Sequence, residues 1–258
     1  MTLLNPPGAY ADDGKFRARQ RLWQHQTPYF DVVDWVMGLA ALEPGQRVLD
    51  AGCGNGSYLR ALRERPVRAA GLDLSPGMLR AAGHPHLVNA DITALPVRDG
   101  AFDVVLAVHM LYHVPDRAAA IGELRRVLVP GGVCIAVTNS ADHMRSLQEL
   151  IEQAVRARLP GWRMESPSTH AFSAENGAAQ LATAFASVTP VTGGGAPVIV
   201  RDAAVVADYV ASVSDHYADQ VPGPWSGIVN SVRDEVQEVI DRDGAFVTTG
   251  TLAAFLCR

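Results

Sequence analysis

The sequence predicts an α/β fold, a doubly wound and mainly parallel sheet, on three observations. Residues 47–59 read RVLDAGCGNGSYL: a short apolar run stops at Gly52, Gly54 and Gly56, and a helix-compatible segment follows. This is the first unit of a nucleotide-binding α/β fold, because the turn wants backbone angles that glycine tolerates and a ligand can approach main chain that carries no Cβ. An acid, Asp73, ends the next apolar run, RAAGLDL, where a carboxylate can accept ribose hydroxyls. From residue 47 to residue 138 strand-like and helix-like stretches alternate, the pattern of a parallel sheet with crossover helices.

Residues 1–11 carry proline and glycine and predict irregular chain. Asp12 and Asp13 stand where a helix over 15–26 would start, with Phe16, Arg19 and Trp23 sharing a face at i, i+3, i+7 spacing. A second helix over 30–42 gathers Val33, Val36, Met37 and Ala40 and closes at Glu43-Pro44-Gly45. Both precede the first strand, so they are additions to the core. They cover a sheet edge or form a lid over a ligand, for which Tyr10, Phe16, Trp23 and Trp35 supply aromatic surface.

Strands are predicted at 47–51, 68–74, 86–90, 102–108 and 133–138. The fourth, FDVVLAV, is mostly apolar on both faces, as a buried parallel strand requires. Ser75 is the N-cap and Pro76 the first residue of a helix over 76–82. A helix over 117–128 leads into a tight Pro130-Gly131-Gly132 turn. After Asn139 the rhythm breaks. Helices are predicted over 141–159 and 174–185, then a segment 188–192, a triple glycine at 193–195 and a strand over 197–200. Helices over 203–213 and 224–241 follow, then two apolar runs either side of Gly250. Residues 140–180 and 201–243 read as insertions above the carboxyl ends of the strands, where the crevice of an open α/β sheet lies.

At 258 residues and ordinary apolar content, the chain can bury one sizeable core. A net charge of −5 with both signs dispersed, and no basic run, argues against a nucleic-acid partner. Cys53, Cys134 and Cys257 are too sparse for a disulfide framework and lack metal-ligand spacing, so no metal is expected. Cys53 reads as a small side chain in the glycine turn rather than a reactive thiol. The segment MTLLNPPGAY has no basic start followed by a long apolar run, and no apolar run approaches a membrane span. A cytoplasmic protein without a membrane partner is expected.

The glycine spacing is D-x-G-x-G-x-G. A dinucleotide fingerprint would need its third glycine at Ser57. Asp91 ends the third strand beside Ile92, a polar and an apolar group together, as an adenine edge and face need; RVLVPGG precedes the fifth. With the words LDAGCGNG, GLDLSPGML, NADITALPVRDGAFDVV and MLYHVPD, residues 30–140 closely resemble the class I S-adenosyl-L-methionine (AdoMet) dependent methyltransferases. HMLYHVPD, TNSADHM and the arginine-bearing helix around Arg19 resemble a bacterial small-molecule group of the quinone-biosynthesis type.

The resemblance implies a Rossmann-like, seven-stranded mixed sheet in the order 3-2-1-4-5-7-6, with strand seven antiparallel and helices on both faces. One domain is expected: a helical lid at 1–44, an AdoMet-binding core at 45–139, and 140–258 holding the remaining sheet and an inserted helical cap on the acceptor side. AdoMet is the implied cofactor. Gly52, Gly54 and Gly56 would let the backbone meet its methionine and ribose portions, and Asp50 would brace the loop. Asp73 would take the ribose hydroxyls, Leu74 would flank the adenine, and Asp91 would accept the adenine amine. Ile92 and Met78 would pack nearby, with Val108 at the end of strand four. Arg19 would meet the methionine carboxylate as a bidentate pair. The acids suit a positive sulfonium.

Methyl transfer requires the acceptor to be held in line at near-attack distance, and a base only where the acceptor arrives protonated. His109, Tyr112 and His113 follow strand four. His109, directly after the strand, is the first candidate base. His113 is the second, with fixing the following loop as its other reading; His143 and His170 are weaker. The expected function is methyl transfer to O, N or C of a small-molecule acceptor, by a monomer or homodimer. The alternatives are an AdoMet-using enzyme of the same fold that does not methylate, such as a cyclase, and a non-catalytic AdoMet-binding protein. A NAD(P) oxidoreductase is disfavoured by Ser57 and the PGG word.

Overall fold

The computed structural model describes residues 14–162, 171–217, 221 and 223–258. Seven strands form one sheet: β1 (Arg47–Ala51), β2 (Arg68–Asp73), β3 (Leu87–Asn89), β4 (Phe102–Val108), β5 (Leu128–Asn139), β6 (Val188–Val200) and β7 (Phe246–Cys257). Their order is 3-2-1-4-5-7-6, as expected. β1 to β5 run parallel, and β7 runs antiparallel to both of its neighbours.

Both faces of the central strands are apolar, so both are covered. On one face α2 (Val32–Ala40) and α3 (Ser57–Arg63) pack Val36, Met37, Leu59 and Leu62 onto Val48, Leu106 and Val137. On the other, α5 (Arg117–Arg126) and α7 (Gly177–Leu181) pack Ile121, Leu124 and Leu181 onto Leu49, Val105 and Phe255. Each such side chain contributes about 1.5–3 kcal/mol of burial before entropy is charged against it. Asp31 caps α2 by accepting from the Val33 and Asp34 amides. Ser75 and Pro76 start α4 (Pro76–Ala82) as the sequence indicates.

A third core lies beyond the sheet. β7 pairs with β5 only from Leu252 onward, so its first half and the last part of β6 pair with each other alone, as a projecting ribbon. α1 (Gly14–Trp23), α6 (Arg145–Arg156), α8 (Ala203–Ser212) and α10 (Ser226–Asp243) share a hydrophobic cluster with that ribbon. Leu22, Leu147, Ile151, Val206 and Val232 gather there with Val198 and Phe246. α1 docks on α8, and Lys15 pairs with Asp215 of the short α9 (Ser214–Tyr217) at 2.5 Å.

The structure differs from the sequence reading in this second half. The triple glycine does not interrupt a strand: β6 runs through it, with a register shift between Gly194 and Pro197. Gly193 is required because the Trp35 ring stands 2.5 Å from where a Cβ would be. Pro130-Gly131-Gly132 lies inside β5 rather than before it, taken up by a register shift opposite Phe102 and Val104. The runs around Gly250 are one strand. The helix expected over 141–159 begins only at Arg145, because Met144 is left-handed with φ 57°. The helix expected over 174–185 shortens to Gly177–Leu181. Tyr10, Asp12, Asp13 and His170 lie outside the described residues. Among the described residues no helix is long and apolar enough to cross a membrane.

Candidate active site

The glycine turn is stitched to the neighbouring strand. The Gly52 and Cys53 amides both donate to the Leu72 carbonyl at 2.8 Å, and the Gly54 amide donates to Asp73 Oδ2 at 2.8 Å. All three glycines have positive φ, between 52° and 79°. They have different neighbours. A Cβ on Gly52 would meet the Met110 side chain at 2.8 Å, and one on Gly56 would meet Ala82 of α4 at 2.9 Å. A Cβ on Gly54 would meet nothing within 4 Å. Gly52 and Gly56 thus let protein pack on the turn, while Gly54 opens onto free space.

Of the three acids of the predicted site, Asp73 bonds the Gly54 amide directly, and Asp50, just before the turn, feels the charge of Asp73. Asp50 is buried, and neither carboxylate oxygen has a hydrogen-bond partner among the described residues. Burial, and then the neighbouring charge of Asp73, raise its pKa to about 7. Asp73 ends β2. Its Oδ1 accepts from the Ser75 amide at 2.8 Å, yet burial outweighs the hydrogen bonds and raises its pKa too. Asp91 is exposed and accepts from the Thr93 amide and hydroxyl, so it holds its own turn. Ile92, Met78 and Val108 are all buried. Leu74 is a large apolar side chain left 69% exposed.

The end of β4 turns sharply over the glycine loop. His109 takes φ 53°, a conformation costly for a non-glycine residue and typical of functional sites. Its amide donates to Val137 O at 2.9 Å. Burial lowers its pKa to about 4, so the imidazole is neutral at pH 7. Tyr112 stands 6.4 Å from His109 and 4.3 Å from His113, measured between ring centroids. His113 closes the 3-10 turn Leu111–His113. Arg19 sits on α1, one turn before Trp23 and partly buried.

A methyltransferase-domain family model matches residues 49–136, the stretch that carries the ends of β1 to β4; Arg19 lies outside it. A malonyl-[acyl-carrier protein] O-methyltransferase of Pseudescherichia vulneris is 33% identical, over 66% of this chain and 68% of its own length. The chain belongs to the class I AdoMet-dependent methyltransferases. A 2-methyl-6-phytyl-1,4-hydroquinone methyltransferase of Synechocystis is 31% identical over 74% of this chain and 57% of its own, in keeping with the quinone-type branch of that family. Among solved structures, phosphoethanolamine N-methyltransferase 2 of Haemonchus contortus, determined with S-adenosyl-L-methionine, superposes with a TM-score of 0.56. It is 16% identical over 97% of this chain and 58% of its own. The chain spans about half the length of other curated relatives it matches, 54% and 42% for two of them.

For a class I methyltransferase, some residues that shape this site escape a motif reading. Asn89 Nδ2 donates to both the Asp73 and Leu74 carbonyls at 2.9 Å, fixing the end of β2. The signal was its place opposite Asp73 in the parallel register, which needs the pairing to be known. Glu123 on α5 accepts from the Leu95 amide at 2.7 Å and anchors the loop that follows Asp91 and Ile92. Met110 fills the space above Gly52.

Proposed function

We propose that this protein transfers a methyl group from AdoMet to O, N or C of a small-molecule acceptor. The observation that carries this reading is the buried carboxylate of Asp50 at the start of the glycine turn, without a hydrogen-bond partner among the described residues. A buried acid is stabilised by a cation and repels a pyrophosphate, so the site suits a sulfonium-bearing cofactor better than a dinucleotide. The open face of Gly54 and the exposed Leu74 support it: one admits a ligand to the backbone, the other offers apolar surface to a base.

When bound, AdoMet supplies a methyl group already activated on positively charged sulfur. In this proposal Asp73 accepts the ribose hydroxyls, Asp91 accepts the adenine amine, and Leu74, Ile92, Met78 and Val108 flank the ring. Arg19 pairs with the methionine carboxylate; Gly52, Gly54 and Gly56 shape the turn, and Asp50 braces it. His109, neutral at pH 7, accepts the acceptor's proton. A weak base suffices where the hydroxyl or amine becomes acidic as it is alkylated. His113 holds the loop. Residues 1–44 act as a lid, 45–139 as the cofactor-binding core and 140–258 as the acceptor-side cap. The acceptor is a small molecule rather than a nucleic acid, and the enzyme works in the cytoplasm as a monomer or homodimer.

Calorimetry with AdoMet and with S-adenosylhomocysteine tests this reading. Micromolar-order binding by the wild type, strongly weakened in Asp73→Ala, is expected. Well-folded wild type that binds neither, while binding NADH, would sink it.

A further inference from the structure

A row of neighbouring side chains leads from the glycine turn to the projecting ribbon. Met110 lies over Gly52. His109, the next residue back, is close enough to His143 for its charge to disfavour protonation there. The His143 ring in turn lies against Trp23 of α1, with centroids 5.0 Å apart and planes at 38°. His143 occupies the turn before α6, where the sequence had implied helix, because Met144 is left-handed.

Gly250 makes room for the two rings. A Cβ there would stand 2.4 Å from Trp23 Cη2 and 2.7 Å from His143 Cε1. The projecting β7 thus gives up a side chain so that an indole and an imidazole can lie on its backbone. His143 Nδ1 is buried without a hydrogen-bond partner among the described residues. Burial first, and then the charge of His109, lower its pKa to about 3; a hydrogen bond from the ring to the Thr251 backbone opposes this only partly. An uncharged imidazole with an unused nitrogen is costly in a closed site unless a ligand hydrogen-bonds to it.

We propose that His143, set by Gly250 and Trp23, is an acceptor-binding residue that works with His109 to select a neutral, hydrogen-bond-donating acceptor over an anionic one. Two neutral imidazoles can accept from a hydroxyl but offer no charge to a carboxylate. Trp23 adds a flat apolar wall for a planar acceptor. Arg19, one turn earlier on α1, is taken up by the cofactor's carboxylate. The inference rests on the methyltransferase reading above and names the acceptor chemistry of the same site.

The test uses the full chain with labelled histidine, loaded with S-adenosylhomocysteine and titrated with phenol, anisole and benzoate while histidine ring signals are followed by NMR. His109→Gln and His143→Gln assign the two signals. Phenol is expected to shift both, saturably, and to leave exposed His86 unmoved. Anisole and benzoate should bind about tenfold more weakly, the worth of one hydrogen bond. His143→Gln should weaken phenol about tenfold with S-adenosylhomocysteine affinity unchanged. Gly250→Ala, which displaces the rings without removing either, should do the same. Equal binding of phenol and benzoate, or His143→Gln that binds phenol as the wild type does, overturns the proposal and leaves the methyltransferase reading standing. Failure of wild type to bind S-adenosylhomocysteine overturns both.

Discussion

The carboxylate of Asp73 accepts a hydrogen bond from the Gly54 amide at 2.8 Å, tying the end of β2 to the open position of the glycine turn. Its other oxygen holds the Ser75 amide that begins the entry to α4. Asp73→Ala leaves both donors without this acceptor and should lower stability by about 1–3 kcal/mol. It should also weaken AdoMet ten- to hundredfold, on the order of one charged hydrogen bond. Asp73→Asn, which keeps one acceptor, should fall between. Thermal unfolding and calorimetry on the three proteins check this; wild-type affinity in the alanine variant would remove Asp73 from the cofactor site.

Asp50 makes stability and binding depend on pH. Its folded pKa, about 7, lies above its ordinary 3.8. Below the ordinary value both states are protonated and Asp50 costs nothing. As pH rises to 7 the unfolded chain gives up its proton first, so stability is lost progressively, reaching on the order of 4 kcal/mol. Asp50→Asn should therefore melt higher than wild type at pH 8 and at nearly the same temperature near pH 3.5. A cationic cofactor should expel the proton from wild type. Calorimetry near pH 7 in buffers of different ionisation enthalpy should read proton release that vanishes in Asp50→Asn.

Gly54→Ala and Gly56→Ala should separate binding from stability. Both positions have positive φ, which costs a side chain about 1–2 kcal/mol. Only at Gly56 does the added Cβ collide, with Ala82 at 2.9 Å and its backbone at 3.0 Å. Gly56→Ala should thus lose a further 1–3 kcal/mol, roughly the cost of overpacking, as α4 is pushed away. Gly54→Ala should stay folded and lose cofactor affinity. The reverse ordering in urea unfolding would contradict this assignment.

None of the three thiols should react in the native protein. Cys53, Cys134 and Cys257 are all buried, and burial raises each pKa, that of Cys257 to about 12. Without thiolate there is no nucleophile at neutral pH. A colorimetric disulfide reagent should give no signal until denaturant is added. Fast labelling of Cys53 in folded protein would reopen it as a reactive group.

His109 and His143 should make the fold acid-sensitive. Burial holds their pKa values near 4 and 3, against 6.5 when exposed. As pH falls through 6.5 the unfolded chain takes up protons that the folded state refuses, so stability declines until the folded values are reached. His143→Gln should flatten that decline between pH 6.5 and 4, read as a smaller fall in melting temperature. An unchanged slope would mean that His143 is open to solvent.

The first half of the fold is legible in the sequence because it is local. β1, β2 and β4 each end at a mark visible in the local sequence: glycines with positive φ, Asp73 and His109. The cap of α4 is equally local, Ser75 followed by Pro76. The second half is not. Gly193 and Gly250 look like breaks in the sequence, yet each is a strand residue whose missing Cβ receives a ring from far along the chain, Trp35 or Trp23. Glycine that breaks a strand and glycine that accommodates a neighbour read alike until the neighbour is in place.

By itself, the sequence determined the alternation of strands and helices in the core, through short-range periodicity and fixed spacing, and its motif words carried the resemblance that implied the sheet order and the family. Only the tertiary structure decided that Gly54, alone of the three glycines of the turn, faces open space, that Asp50 is buried without a hydrogen-bond partner among the described residues, and that His143 meets Trp23 on the backbone of β7. Those facts depend on which surfaces exclude water and which side chains from distant segments share a space, and neither is written in any one stretch of chain.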